Sequence, residues 1–392
     1  MAQRAYRSAI VGTGGIAGAH ARAVLDSGRG AVVAAVDVDA ERARAFAAEW
    51  GVPRVSGSLR ELLAGEELDL VHICTPPGPH AHLAAQCLAA GVTALVEKPP
   101  VVSLAELDEL AEAERGSAAS VATVFQHRFG PGVARLRRMA ASGELGRPLV
   151  ATCLTQWHRD DDYFAVPWRG SWETEGGGPT MGHGIHQFDL LLSVLGPWRE
   201  VTAVAARQAR PVSTEDVSMA LVTFESGALA TVVNSVVSPR QVSALRFDYE
   251  WATVELEHLY GYTDADWRVT PAPGHEAVAA RWAADTAPGP ASSGPRSAAT
   301  RAERAGIPGR PASGASAASR APGASGHSGQ LAAVYDALDA GEPPPVTLAD
   351  ARPTMEFIAA LYASAFTGER VRSGAVPPAF AARMEGTGAP WR

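Results

Sequence analysis

The chain carries 34 basic residues; 33 are arginine and the other is Lys98, within Glu97-Lys98-Pro99. An arginine does not shed its proton in a protein, whereas a desolvated lysine can. A chain that keeps one lysine is read here as keeping it for chemistry. Such an ammonium can orient a hydroxyl, stabilise developing alkoxide charge or relay a proton. Imidazoles supply the complementary property, because they titrate near neutrality. The stretch Gly176-Gly-Gly-Pro-Thr-Met-Gly-His183-Gly-Ile-His186-Gln-Phe-Asp189 holds two of them. On a helix starting at Gly182, His183 and His186 lie one turn apart and converge, which suits proton exchange with a hydroxyl. The alternative for both rings is packing with a satisfied hydrogen bond, a reading that weighs more for His183 than for His186. The set His183-x-x-His186-x-x-Asp189 is a poor metal site, since i, i+3, i+6 on one helix turns the third residue away, and no metal is expected.

A second group of residues is suited to binding. Gly12-x-Gly14-x-x-Ala17 follows a short apolar strand and opens a helix, the context in which a glycine loop receives a dinucleotide. Gly12 permits the tight turn, Gly14 lets the backbone approach a pyrophosphate, and Ala17 allows close helix–strand packing. Gly15 and Ile16 complete the loop, whose N–H groups and helix dipole favour phosphate. Asp37 ends the next strand, where a carboxylate accepts from a ribose 2′-hydroxyl and repels a 2′-phosphate. NAD is therefore expected over NADP; Arg42 and Arg44 are the residues that speak for the latter. Thr75-Pro76-Pro-x-x-His80 forms a stiff turn along which a flat cofactor can lie, and His80 contacts either ligand or the helix it heads. Glu97 and Lys98 end a further strand, at the ligand-binding edge of an open α/β sheet, and Pro99 biases Lys98 toward extended backbone. Gln126-His127-Arg128-Phe129 marks a domain junction. A tryptophan face and a guanidinium at Trp168-Arg169 suit a sugar or a carboxamide, or an ordinary interdomain contact.

These groups need a scaffold, and its outline is visible. Apolar strands at 8–11, 31–36, 70–74, 94–97 and 121–125 alternate with helices at 40–50, 79–90 and 104–114, the signature of a doubly wound parallel sheet. The first 126 residues form this nucleotide unit. Residues 127–282 read as a second, α+β domain: a helix at 132–141, a helix at 182–195, and strands at 149–156, 201–207, 217–224, 228–237 and 242–249. Ala, Gly, Pro, Ser and Arg dominate 283–329, which is expected to be a disordered insertion. Amphipathic helices follow within 330–370, and 371–392 is expected to be a loose tail. The net charge of −8 argues against nucleic acid. The three cysteines lack paired spacing, which argues against a disulfide framework. With neither a signal-like nor a membrane-spanning apolar run, a cytoplasmic setting is expected.

Together these residues resemble the Gfo/Idh/MocA oxidoreductases, a family that includes glucose–fructose oxidoreductase and inositol dehydrogenase. The resemblance is carried by VGTGGIA at 11–17, Asp37, CTPPGPH at 74–80, VEKP at 96–99, QHRF at 126–129, and GGG followed by GxHxxD through Asp189. It implies an N-terminal Rossmann domain and a C-terminal α/β domain whose open sheet mediates oligomers, with the last helices packed back on the nucleotide domain. It maps the family lysine to Lys98 and the catalytic histidine to His186, with His183 beside it. Cofactor contacts are expected at Gly12, Gly14, Gly15, Ile16, Ala17, Asp37, Thr75, Pro76, His80, Glu97, Lys98 and Gln126. Substrate contacts are expected at Arg128, Trp168, Arg169 and His183. One departure stands out: the family aspartate four residues before the histidine is Gly182 here, and His127 replaces a frequent asparagine. The expected activity is NAD-dependent hydride transfer to or from a secondary alcohol of a sugar, sugar derivative or cyclitol, in a homodimer or homotetramer. The alternatives are a nucleotide-binding sensor or scaffold, and an enzyme that uses NAD transiently in elimination or epimerisation.

Overall fold

The computed structural model describes residues 5–285 and 326–388. The first unit runs β1 (Tyr6–Val11), α1 (Ala17–Ser27), β2 (Gly30–Val36), α2 (Ala40–Trp50), β3 (Arg54–Ser56), α3 (Leu59–Gly65), β4 (Leu70–Ile73), α4 (His80–Ala89), β5 (Thr93–Val96), α5 (Leu104–Arg115) and β6 (Val121–Thr123). Its six strands are parallel, in the order β3-β2-β1-β4-β5-β6. Every residue of β4 and β5 is buried, because helices cover both faces, and this explains why they are apolar apart from Thr93 and His72. The strand order reverses between β1 and β4, and a ligand crevice opens at such a switch point.

The second unit contains α6 (Pro131–Ala141), β7 (Pro148–His158), α7 (Asp161–Phe164), α8 (Trp172–Glu175), α9 (Ile185–Leu195), β8 (Trp198–Ala206), β9 (Val217–Phe224), β10 (Leu229–Ser235), β11 (Val237–Tyr249), β12 (Ala252–His258), β13 (Trp267–Pro271) and α10 (Ala277–Ala284). Its eight-stranded sheet has the order β13-β12-β11-β7-β10-β9-β8-β14, where β14 is Val371–Arg372. All its pairings are antiparallel except β10 with β7. The sheet's alternation buries one face under α9 and α12 (Leu348–Thr367). The other face carries Val204, Met219, Leu221 and Leu229, exposed at 64%, 48%, 64% and 55%. No described helix is long and apolar enough to cross a membrane.

Several short elements depart from the sequence expectation. β3, α3 and β13 are too short to stand out locally, and pairing with neighbouring strands defines β3 and β13; β12 (ATVELEH) alternates strictly and was legible, although sequence reasoning missed it. The expected insertion at 283–329 lies mostly outside the described residues, but α11 (Gly326–Ala340) begins inside it. The expected loose tail is packed instead. β14 pairs with β8, α13 (Pro378–Ala382) follows, and Phe380 and Met384 are buried. Isolated apolar residues give no periodic signal, so this packing is set by tertiary contact. α11 lies against α1, and Tyr335 stacks on Tyr6 with ring centroids 4.4 Å apart.

Candidate active site

A cavity of about 1350 Å³ runs from the glycine loop across the switch point to the second sheet. At one end its wall is mainly backbone. Gly12 has φ +87°, and a Cβ there would sit 2.7 Å from the backbone nitrogen of Thr75, so only glycine fits the turn. Gly14 and Gly15 have open space where a Cβ would project, and with Ile16 they line the cavity. Ala17 is fully buried and packs the start of α1 rather than facing ligand. No side chain caps α1; Ala17 N and Ala19 N turn back to the Gly14 and Ile16 carbonyls at 3.1 and 2.9 Å, and the positive end of the helix dipole faces the loop where an anion would sit. Two buried polar atoms without protein partners, Thr75 Oγ1 and Gln126 Oε1, belong to residues of the same wall. An uncapped helix start, a glycine cradle and waiting polar groups fit a dinucleotide.

Asp37 lies at the rim and is held by several donors. Its Oδ2 accepts from Thr13 N at 2.8 Å and Arg42 Nε at 2.9 Å, and Oδ1 accepts from Arg42 Nη2 at 2.6 Å. Although burial opposes ionisation, these bonds, Arg42 first among them, hold the carboxyl well below its ordinary range. Arg42 is thus neutralised by Asp37, and Arg44 pairs with Glu41 at 2.8 Å.

At the centre stand Lys98, His183 and His186. The Lys98–Pro99 peptide is cis. Lys98 Nζ donates to the carbonyl of Gly182 at 2.7 Å, so backbone meets the amine where the family places an aspartate nearby. Burial pulls the ammonium below its ordinary range. Residues 180–184 form one turn of π-helix that leads into α9, and π-turns recur at functional sites. His183 lies edge-on to Trp157 at 4.9 Å, and its Nε2 is hydrogen-bonded with the Tyr163 hydroxyl at 3.3 Å. His186 has no hydrogen bond among the described residues, and its Nδ1 is buried without a partner. Its ring packs 4.9 Å from that of His127, which is fixed by Tyr260 O at 3.2 Å and the Gln187 amide at 3.5 Å. Burial, and then nearby positive charge, holds both His183 and His186 well below the usual imidazole range. Both are therefore neutral near pH 7 and able to accept a proton.

Besides Ala17, three expected contacts are corrected. His80 is fully buried and braces two loops: its Nδ1 meets Pro99 O at 2.7 Å and its Nε2 meets Thr75 O at 2.9 Å. Heading a helix under the Glu97-Lys98-Pro99 loop, it touches backbone rather than ligand. Glu97 borders the cavity, but its carboxylate turns inward to His20 Nε2 at 2.9 Å, His327 Nε2 at 3.2 Å and the Lys98 amide at 3.1 Å. It positions the lysine loop. Arg128 makes a fork to the buried Asp189 at 2.7 and 2.5 Å and also donates to Asp350 O. The single 3₁₀ turn at Gln126–Arg128 points Gln126 into the cavity and Arg128 away from it. Asp189 is thereby committed to Arg128 and to Thr354 at 3.1 Å, not to the histidines.

Trp168 and Arg169 do line the cavity, and the Arg169 guanidinium sits 4.2 Å from the Trp168 ring and 3.8 Å from that of Tyr163. Sequence reasoning missed Tyr163, Arg159, Glu175 and His327. Glu175 lies 3.7 Å from Arg169, and burial pushes its carboxyl up to about 7. Only the aromatic–basic run Gln156-Trp-His-Arg159 offered a local signal. His327 arrives from a helix 230 positions beyond Glu97.

Fold and cavity define a two-domain dinucleotide-binding protein. Residues 6–125 match the family model described as oxidoreductase family, NAD-binding Rossmann fold, and residues 133–254 match that of the GFO/IDH/MocA C-terminal domain. The chain therefore belongs to the Gfo/Idh/MocA oxidoreductase family. It is 26% identical over 275 residues to a D-apiose dehydrogenase of Paraburkholderia graminis, covering 67% of this chain and 69% of that protein. It is 30% identical over 241 residues to a scyllo-inositol 2-dehydrogenase (NAD(+)) of Bacillus subtilis, covering 59% and 68%. The chain spans about two thirds of the length of such curated relatives, from 61% to 69%. The WlbA dehydrogenase of Bordetella pertussis, solved with NADH and UDP-GlcNAcA, shares the fold with TM-score 0.75 and 23% identity, over 94% of this chain and 99% of that one.

Proposed function

We propose that the protein is an NAD-dependent dehydrogenase or reductase acting on a secondary alcohol of a sugar, sugar derivative or cyclitol. One observation carries this reading. The chain's lone lysine and an unpartnered, neutral imidazole line one cavity, at the edge where the dinucleotide cradle meets the second domain. Bound NAD+ would supply the hydride acceptor for the alcohol carbon, and the hydroxyl must then give up its proton to a residue of the chain. His186 is the base that takes that proton, since His183 is already engaged with Tyr163. Lys98 donates to the same oxygen, exchanging the Gly182 carbonyl for the developing alkoxide, where a positive charge in a dry site is most effective. His127 fixes the plane of His186. Asp37 selects NAD, because a 2′-phosphate would meet its carboxylate and that of Asp39 beside an already neutralised Arg42.

The curated dehydrogenases among its relatives support the substrate class. The exposed apolar stripe on β8, β9 and β10 supports a homo-oligomer formed through the open sheet. The test is Lys98→Ala assayed by NADH absorbance against a panel of sugars and polyols, with NAD binding titrated directly. Loss of turnover with NAD affinity retained is expected. Unchanged turnover would discard the role of Lys98, and a wild-type protein that binds NAD without any turnover would favour a sensor.

A further inference from the structure

Beyond Lys98 and the histidines, the cavity wall is cationic and aromatic, in a chain whose net charge is −8. Four cationic side chains line the cavity, and three of them have an acid at hand. Arg42 has Asp37, Lys98 has the adjacent Glu97, and Arg169 has Glu175. Arg159 has none: among the described residues no carboxylate lies within ion-pair distance of it. Its partners are uncharged, namely the His158 carbonyl at 3.0 Å, the Gln241 amide oxygen at 3.5 Å and the Tyr260 hydroxyl at 3.2 Å, and its Nε is buried without a partner. The three aspartates that follow Arg159 do not line the cavity, and two are committed elsewhere. Asp160 accepts from Tyr163 N at 3.0 Å, and Asp161 pairs with Arg210 at 3.1 Å.

The guanidinium is nonetheless held firmly. It lies 4.8, 5.1 and 5.7 Å from the ring centroids of Trp157, Tyr163 and Tyr260. Aromatic faces fix its plane and dry it without cancelling its charge. A partly dried, oriented and uncompensated cation is costly unless an anion meets it, and its fork of N–H groups matches a carboxylate. Tyr163 links this group to the reaction centre: Arg169 shares its ring, and its hydroxyl reaches His183.

We propose that Arg159 receives the carboxylate of an acidic sugar, a uronate or an aldonate, so that the molecule taken by this site carries one negative charge. The proposal rests on the dehydrogenase reading above and narrows its substrate class. One unmatched cation calls for one negative charge, which favours a carboxylate over a doubly charged phosphate ester. Trp168, half-buried on the cavity wall with Arg169 against its ring, supplies a flat apolar surface for the C–H side of a sugar ring.

The experiment is calorimetric titration of the NADH-saturated protein with D-glucuronate, D-gluconate, the methyl ester of glucuronate, D-glucose and D-glucose 6-phosphate. The acids are expected to bind about 10- to 100-fold more tightly than glucose or the ester, as a charge-assisted pair implies. Arg159→Gln should remove that preference while leaving the weak binding of neutral sugars in place, and Arg159→Lys should restore part of it. Equal binding of acid and ester, tighter binding of the phosphate, a preference that survives Arg159→Gln, or no binding of either acid overturns the proposal alone. A protein that takes no NADH overturns the dehydrogenase reading and this proposal with it.

Discussion

The nucleotide end of the cavity is shaped chiefly by the bare backbone of one glycine loop, with Asp37, Thr75 and Gln126 set around it, whereas the substrate end is walled by interlocking side chains drawn from many elements. Gly12, Gly14 and Gly15 do their work by lacking side chains. Arg159, Tyr163, Arg169, His183 and Tyr260 do theirs through rings and guanidiniums that hold one another in place. A site of the first kind tolerates almost no change of shape and accepts one invariant ligand. A site of the second kind can be recut by exchanging a side chain, and this is where a family varies its substrates.

Substitutions at the two ends should therefore fail differently. His186→Asn should give the largest effect, a fall in kcat of about 10²- to 10⁴-fold with NAD affinity intact, because only the base is lost. Stopped-flow traces and an NAD titration on the same sample would separate the two quantities; parallel losses in both would blur the distinction between the ends. Gly12→Ala should do the reverse. Its Cβ would sit 2.7 Å from Thr75 N, so NAD binding should fall steeply and thermal stability with it. Arg128→Ala should lower stability by about 3–5 kcal/mol, since it strands the buried Asp189 carboxylate. Denaturant midpoints would register this, and a variant of native stability with a raised KM would return Arg128 to the substrate list.

A smaller effect concerns pH. Burial lowers the pKa of His20, His72, His183 and His186. The fold therefore binds fewer protons than the unfolded chain below about pH 6.5. Stability should be full above that value and decline as pH falls further; a Tm that rises on acidification from 7 to 5.5 would contradict the assignment. The mildest change is Gly182→Asp. A Cβ at Gly182 meets nothing within 4 Å, so folding should be unaffected. The new carboxylate near Lys98 and His183 should raise their pKa values and move the acid limb of the kcat profile upward.

How much of this was legible in the sequence follows from the same contrast. The glycine loop, Asp37 and the Glu97-Lys98-Pro99 corner are local in sequence, and the backbone chemistry that needs them is local too. The parallel sheet was equally readable, because burial on both faces forces near-continuous apolar strands. Arg128 was misplaced because it is two positions from Gln126, and one 3₁₀ turn sends the two side chains opposite ways. His80 was ambiguous until Pro99 and Thr75 were seen to close around it. Arg159 had only its aromatic–basic neighbourhood to mark it and His327 had nothing: each acts through partners made near only by the fold, Tyr260 for one and Glu97 for the other.

The docking of α11 on α1 has a consequence for how the molecule can be divided. Tyr335 covers Tyr6, Gln330 donates to Thr123 O at 2.6 Å, and His327 reaches Glu97, so a helix from the last sixth of the chain completes the unit that the first third begins. A fragment ending before Gly326 would keep the whole glycine loop yet expose an aromatic face and strip the lysine corner of one of its supports. The nucleotide unit is closed from both ends of the polypeptide, and the second sheet is threaded between them as a loop is threaded through a clasp.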